Sequence, residues 1–249
     1  MSDFRPRSSS EILDASFEIY RRNFAVFIAI SVFTAIPSAI ATYFSQAAMV
    51  LQRPDGIFTS ALISLLGLLI APFTYGSVAC AASDAYLGKP VGVEHSVRAA
   101  FRRPGMLFGA MVRKWVLVSF GLALFLVPGL IVYKRYFALP MTILFEDNTI
   151  GSAVARSREL SNGSGTRIFS LNGGVLVFTT VVAFNLGLTI TSFSHGAIAA
   201  VGHLIVIMVL SPFSTIVATL LYYDIRIRRE GYDIELMTQA LDVTSPMLN

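Results

Sequence analysis

Six apolar stretches, at 24–44, 58–82, 106–127, 128–145, 168–193 and 197–223, dominate the chain. Each approaches the roughly 20 residues that a helix needs to cross a bilayer's hydrocarbon core. In that solvent every backbone N–H and C=O must find its partner inside the segment, so uninterrupted runs of this length leave helices as the economical solution. The third and fourth stretches run together through Val127-Pro128-Gly129, and a single span there, giving five in all, is the competing count.

The basic residues decide between the two counts. Between the stretches they fall in blocks: Arg5, Arg7, Arg21 and Arg22; then Arg53; then Lys89, Arg98, Arg102 and Arg103; then none around 127–129; then Arg156, Arg158 and Arg167; then none around 194–196; then Arg226, Arg228 and Arg229. Crowded and sparse blocks alternate, and crowded ones belong on the cytoplasmic side. Six spans with both termini cytoplasmic satisfy the alternation, whereas five would part the last arginines from the first. A tight turn at Pro128-Gly129 is therefore expected.

Composition closes off other classes. With 55% hydrophobic and 14% charged residues and a mean hydropathy of +0.68, the chain lies well outside the soluble range of about 25% charged. The net charge of +4 does not point to nucleic acid, because the basic residues sit where membrane orientation requires them. Cys80 is the single cysteine, which excludes an intrachain disulfide and any zinc or iron–sulfur spacing. Residues 1–23 are polar, with Asp3, Glu11, Asp14 and Glu18 ahead of any apolar run, so no cleavable signal is expected and the first span is expected to remain.

Three short amphipathic helices are expected in the cytoplasmic segments. The first begins at Ser8 and Glu11 in capping-box spacing, with Leu13, Phe17 and Tyr20 on one face. A second covers about 93–103, with Val93, Val97 and Phe101 on one face, and stops at Pro104. The third starts near Asn148, carries Ile150 and Val154, and ends at Asn162-Gly163. Such one-sided faces suit helices lying in the membrane interface. The expected fold is an all-α membrane protein whose six transmembrane helices form three hairpins, each preceded by an interfacial amphipathic helix. It makes one domain over 1–236, with pseudo-repeats of about 8–86, 91–147 and 148–230 and a polar tail at 237–249. Ala71-Pro72-Phe73-Thr74 with Asp84, and Ser211-Pro212-Phe213-Ser214 with Asp224, share one offset. The fourth stretch departs, since Pro140 precedes Glu146 and Asp147 by six and seven residues.

No catalytic constellation is present, and no metal or cofactor is expected. His95, His195 and His203 lack neighbouring ligands; an axial histidine for a haem or chlorin competes with the plainer reading of a polar residue hydrogen-bonded between helices. Carboxylates lie outside the stretches or at their cytoplasmic margins, which argues against a proton-coupled pump. Asp84, Glu146, Asp147 and Asp224 are expected to pair with Arg21, Arg22, Arg102, Arg103 and Arg156 on that face, and Gly121, Gly173-Gly174 and Gly187 to pack between helices.

Four cations remain inside apolar stretches: Arg113, Lys114, Lys134 and Arg135. Each must snorkel, pair or face a wet cavity. Trp115 follows Arg113-Lys114, which favours an interfacial pair with a later-starting span. Lys134-Arg135 either snorkels or lines an anion site, with Asn172 or Asn185 adding hydrogen bonds. The expected anion- or lipid-binding set is thus Lys134, Arg135, Arg113, Lys114 and Asn172.

Three phrases carry a family resemblance: Glu11-Ile-Leu-Asp-Ala-Ser-Phe-Glu-Ile-Tyr-Arg-Arg-Asn-Phe24, Val127-Pro-Gly-Leu-Ile-Val-Tyr-Lys-Arg-Tyr-Phe-Ala-Leu-Pro140 followed by 153–163, and Leu220-Leu-Tyr-Tyr-Asp-Ile-Arg-Ile-Arg-Arg-Glu-Gly-Tyr-Asp233. They resemble the membrane domain of the glycerophosphoryl diester phosphodiesterase family, multi-pass proteins of bacteria and archaea. The resemblance implies a six-helix module in a prokaryotic cytoplasmic membrane and a recurrent basic residue at Arg135. It does not bring the enzymatic activity, since the barrel needs about 250 further residues. Two roles follow: a non-enzymatic accessory, structural or assembly subunit packed against other integral membrane proteins, or a carrier or binder of a lipid or amphiphilic anion through Lys134 and Arg135.

Overall fold

A computed structural model describes residues 5–51, 54–146 and 148–231, and among these the ordered elements are all helical. They are α1 (Ser9–Arg22), α2 (Phe24–Leu51), α3 (Pro54–Tyr86), α4 (Val93–Ala100), α5 (Pro104–Leu124), α6 (Leu126–Arg135), α7 (Leu139–Phe145), α8 (Ile150–Ser161), α9 (Gly165–Phe193) and α10 (Ala197–Glu230). Five of them, α2, α3, α5, α9 and α10, are long and apolar enough to cross a membrane. Arg53, Asp147 and the 237–249 tail lie outside the described residues.

The fourth expected span is not one helix. α6 ends at Arg135, the chain bends through Tyr136–Ala138, and α7 is a separate short helix. The turn before it also moves. Phe125 is the extended residue between α5 and α6 (φ −159°, ψ 150°), and Pro128 and Gly129 fall in the first turns of α6. Proline is tolerated there because a first-turn N–H lacks an intrahelical partner in any case. The legs meet closely: a Cβ on Gly121 would stand 2.8 Å from the Gly129 Cα. Gly173 and Gly174, by contrast, touch no neighbouring helix closely.

Local signals place the helix ends. Ser8 Oγ accepts from the Glu11 N–H (3.2 Å) and Glu11 Oε2 from the Ser8 N–H (2.6 Å), closing the expected capping box. Thr149 caps α8, and Gly163, with φ +76°, follows its end. α4 finishes at Ala100, and Pro104 opens α5 rather than merely stopping its predecessor.

The core sits at one end of the bundle, called proximal here because it carries α1 and the close of α10. There α10 is buried on all sides from Thr215 to Ile225, wrapped by α1, α3, α7, α8 and the start of α9. Ile12, Phe27, Ile30, Phe137, Met141 and Tyr222 fill the space between them. The short helices, expected at the membrane interface, also pack against the ends of the long ones. Small buried residues allow their close approach: Ser16 in α1, Ser96 and Ala100 in α4, and in α8 Ala153, clustered with Ala110 and Tyr136, and Ser157, bonded to the Arg135 carbonyl. Phe17, on the expected apolar face of α1, is exposed, and Phe101 is exposed while stacking on Phe73 (centroids 4.5 Å apart). Toward the other, distal end the surface is an apolar belt that includes Phe33, Leu65, Leu69, Phe178, Phe184 and Val201. An exposed apolar surface of that extent is what a helical bundle presents to lipid.

Candidate functional site

Where the belt meets the proximal core, the long helices part around a cavity of about 680 Å³. α2, α3, α9 and α10 supply its back and sides, and the α5–α6 hairpin closes its front. Most of the wall is apolar, including Val78, Met111, Val118, Leu122, Leu130 and Ile207.

The polar residues gather around Lys114. Its Nζ lies 5.9 Å from the centroid of the Tyr133 ring, a cation–π contact. The Tyr133 hydroxyl accepts from Asn172 Nδ2, and its ring stacks on Phe169 at 6.2 Å. Asn172 sits in a π-helical stretch, Ile168–Gly173, inside α9; the wider turn displaces side chains from the usual α register, and such turns are common at functional sites. Ser211 and Ser214 of α10 line the same space. Thr74 of α3 does so too, and its buried Oγ1 has no hydrogen-bond partner among the described residues. Among those residues no carboxylate is within ion-pair distance of Lys114. The cavity thus offers a cation without a carboxylate partner among the described residues, the Tyr133–Asn172 pair against it, and several hydroxyls in an otherwise apolar lining. Ligand sites commonly have this makeup, a few placed polar groups in an apolar cleft of about 300–1,000 Å³.

The expected site residues divide. Lys114 and Asn172 come together here. Arg113, one helical step of about 100° away, is exposed and turns to Tyr136, whose hydroxyl also accepts from Arg158 Nη2 at 3.3 Å. Lys134 leaves the cavity for an open groove beside Gly165, Thr166 and Ser170. Arg135 is exposed at the end of α6, where its carbonyl accepts from Ser157 Oγ (2.8 Å). The expected Lys134-Arg135 anion site is therefore not assembled, because α6 stops at Arg135 and carries both side chains out onto the proximal surface. Asn185 is exposed and bonds within its own helix to the Val181 carbonyl. Sequence reasoning missed Tyr133 and Thr74. The signal for Thr74 was the hydroxyl two residues after Pro72, repeated as Ser214 after Pro212; nothing local marked Tyr133.

The proximal charges form two knots. Asp224 is buried and accepts from the Arg7 N–H (2.8 Å), Arg167 Nε (2.8 Å) and Arg228 Nε (2.9 Å). Glu146 accepts from Arg156 Nε (2.8 Å) and the Tyr222 hydroxyl (2.6 Å), and Arg156 also reaches Glu230 (2.5 Å). Burial works against the Arg156 charge, but Glu146 and Glu230 hold its pKa above the ordinary arginine value. Of the expected pairs, Glu146 with Arg156 forms; Asp224 takes Arg167 and Arg228, Asp84 faces His95 at 3.5 Å, and Arg22 pairs with Glu18. His203 Nε2 is 3.1 Å from Ser38 Oγ, bridging α10 and α2. No group of three or more potential metal ligands occurs among the described residues. Comparison of the chain with family models, with curated proteins and with solved structures finds no match.

Proposed function

We propose that this multi-pass helical membrane protein is non-enzymatic and binds an amphiphile with a single anionic head, the head at Lys114 and the chain along the apolar walls. One observation carries the reading: an otherwise apolar cavity is lined by a lysine with no ion-pair partner and by a threonine hydroxyl with no hydrogen-bond partner among the described residues. A charge set in a largely apolar cavity without a carboxylate beside it among the described residues is costly, and an incoming anion would relieve that cost. A charge-assisted hydrogen bond of this kind is worth about 1.5–3 kcal/mol.

The resemblance to the phosphodiesterase-family membrane domain supports a module of the same type without its enzyme, and the basic blocks support a cytoplasmic proximal face in a prokaryotic inner membrane. Assembly with other membrane proteins is the reading that a bundle without a cavity would favour. The test is native mass spectrometry of protein purified in mild detergent, wild type against Lys114→Met. Loss of a co-purifying anionic amphiphile in the variant is expected; equal occupancy in both refutes the proposal.

A further inference from the structure

We infer that α5 and α6 do not cross the bilayer: they enter from the proximal side, turn at Phe125 near the midplane and return, their tip seated among acyl chains. This does not depend on what the cavity holds.

The first ground is length. From Trp115 to Tyr133 the chain has no charged residue, and Arg113-Lys114 and Lys134-Arg135 close that run at its two ends. Folded double, those 19 residues leave about half on each leg, where two full crossings need about 40.

The second ground is where α5 begins. Its first turns pack through Met106 and Ala110 against Ile150, Ala153 and Val154 of α8. α8 carries Arg156, Arg158 and Glu159, charges that belong outside hydrocarbon. About nine residues of α5 are thus used before the membrane is reached, and its length alone misleads.

The third ground is a shared level. Lys114 lies over the Tyr133 ring and Asn172 donates to the Tyr133 hydroxyl, so these three residues of α5, α6 and α9 stand at one height. From that level to its far end, at about 1.5 Å per residue, α9 runs about 32 Å to Phe193. That matches a hydrocarbon core of about 30 Å. From the same level α5 runs about 15 Å to Leu124, and α6 about 10 Å from Tyr133 back to Leu126. Trp115 and Tyr133 then mark the interface at the base of both legs, as aromatic residues do at membrane boundaries. The tip is apolar and open: Phe125 is 74% exposed, Leu126 67% and Val127 65%. Non-helical backbone such as Phe125 at that depth needs its polar groups met, and its N–H donates to the Gly121 carbonyl (3.1 Å) while its carbonyl accepts from the Gly129 N–H (3.3 Å).

Trp115 is the chain's single tryptophan and serves as a native depth probe. Fluorescence in vesicles of phosphatidylcholine brominated either near the headgroup or near the chain end separates the two geometries. A crossing hairpin puts residue 115 near mid-bilayer and residue 125 at the far interface; the half-depth hairpin reverses them. In the wild type the headgroup-proximal bromines should quench Trp115 more strongly. In the Trp115→Phe, Phe125→Trp double variant the chain-end bromines should quench more strongly. The reverse order in either protein overturns the inference. A second measurement starts from Cys80→Ser and compares Phe125→Cys with Ser194→Cys, using a membrane-impermeant maleimide from the distal side. Labelling at 194 and not at 125 is expected; equal labelling overturns the inference.

Discussion

Replacing Asp224 with asparagine tests whether the proximal knot holds the helix ends together. The carboxylate is 3% exposed, with one oxygen on the Arg7 N–H and the other shared by Arg167 and Arg228. Asparagine keeps the first contact, but its amide directs N–H groups at two guanidinium groups that themselves only donate. Removing one member of a buried ion pair costs about 3–5 kcal/mol. The Arg228 side chain is 40% exposed and the Arg167 side chain 22%, so solvent screens part of the loss. The expected cost is therefore at the low end, about 3 kcal/mol. For a chain of this size each kcal/mol moves the melting temperature by about 2–4 °C, which makes the expected drop about 6–12 °C. The assay is the apparent melting transition in detergent, followed by far-ultraviolet circular dichroism. Arg167→Met should cost distinctly less in the Asp224→Asn background than in the wild type, with a coupling of about 0.5–3 kcal/mol. A melting temperature within about 2 °C of wild type, or strict additivity of the two changes, would refute the reasoning.

Gly129→Val should unseat the hairpin, because a Cβ there would stand 2.5 Å from Leu122 Cδ2 and 2.7 Å from the Leu122 backbone nitrogen. Overpacking of this kind costs about 1–3 kcal/mol, and a melting temperature unchanged within error would contradict it. Thr74→Val should leave the melting temperature level or slightly higher, since the lost hydroxyl has no partner, while weakening retention of any co-purifying anion. Glu11 should titrate with a midpoint of about 2, far below its ordinary 4.5, because the Ser8 N–H and then the Arg5 guanidinium favour the carboxylate. Its folded pKa is depressed, so its contribution to stability is complete above pH 4.5 and is lost as the pH falls through about 2. A carbon-13 titration of labelled glutamate reads the midpoint, Arg5→Ala should raise it, and a midpoint near 4.5 in the wild type would refute the assignment.

Periodicity, capping chemistry and charge order were enough to place most helices along the chain. The Ser8–Glu11 box, the Thr149–Asn162 helix and the long apolar runs are decided within a few residues of themselves, and near neighbours in the chain meet in any fold that forms them. The break after Arg135 was not legible in that way, because 128–145 is apolar on both sides of Lys134-Arg135. It is apolar for two reasons at once, as one leg of the hairpin and as α7 within the proximal core, where Leu139, Met141 and Ile143 are buried. Hydropathy cannot tell lipid from protein interior.

The candidate site shows the same division. The sequence by itself determined that four cations had to be accommodated within apolar stretches. Only tertiary structure decided that Lys114 faces a cavity while Arg113, Lys134 and Arg135 do not. The sign and number of charges are properties of the chain. The direction of a side chain is set by helix phase and by where packing stops the helix, and the level at which distant helices meet follows from contacts between residues far apart in sequence. Lys114, Tyr133, Asn172 and Thr74 come from four separate helices and line one space only because the tertiary packing brings those helices together.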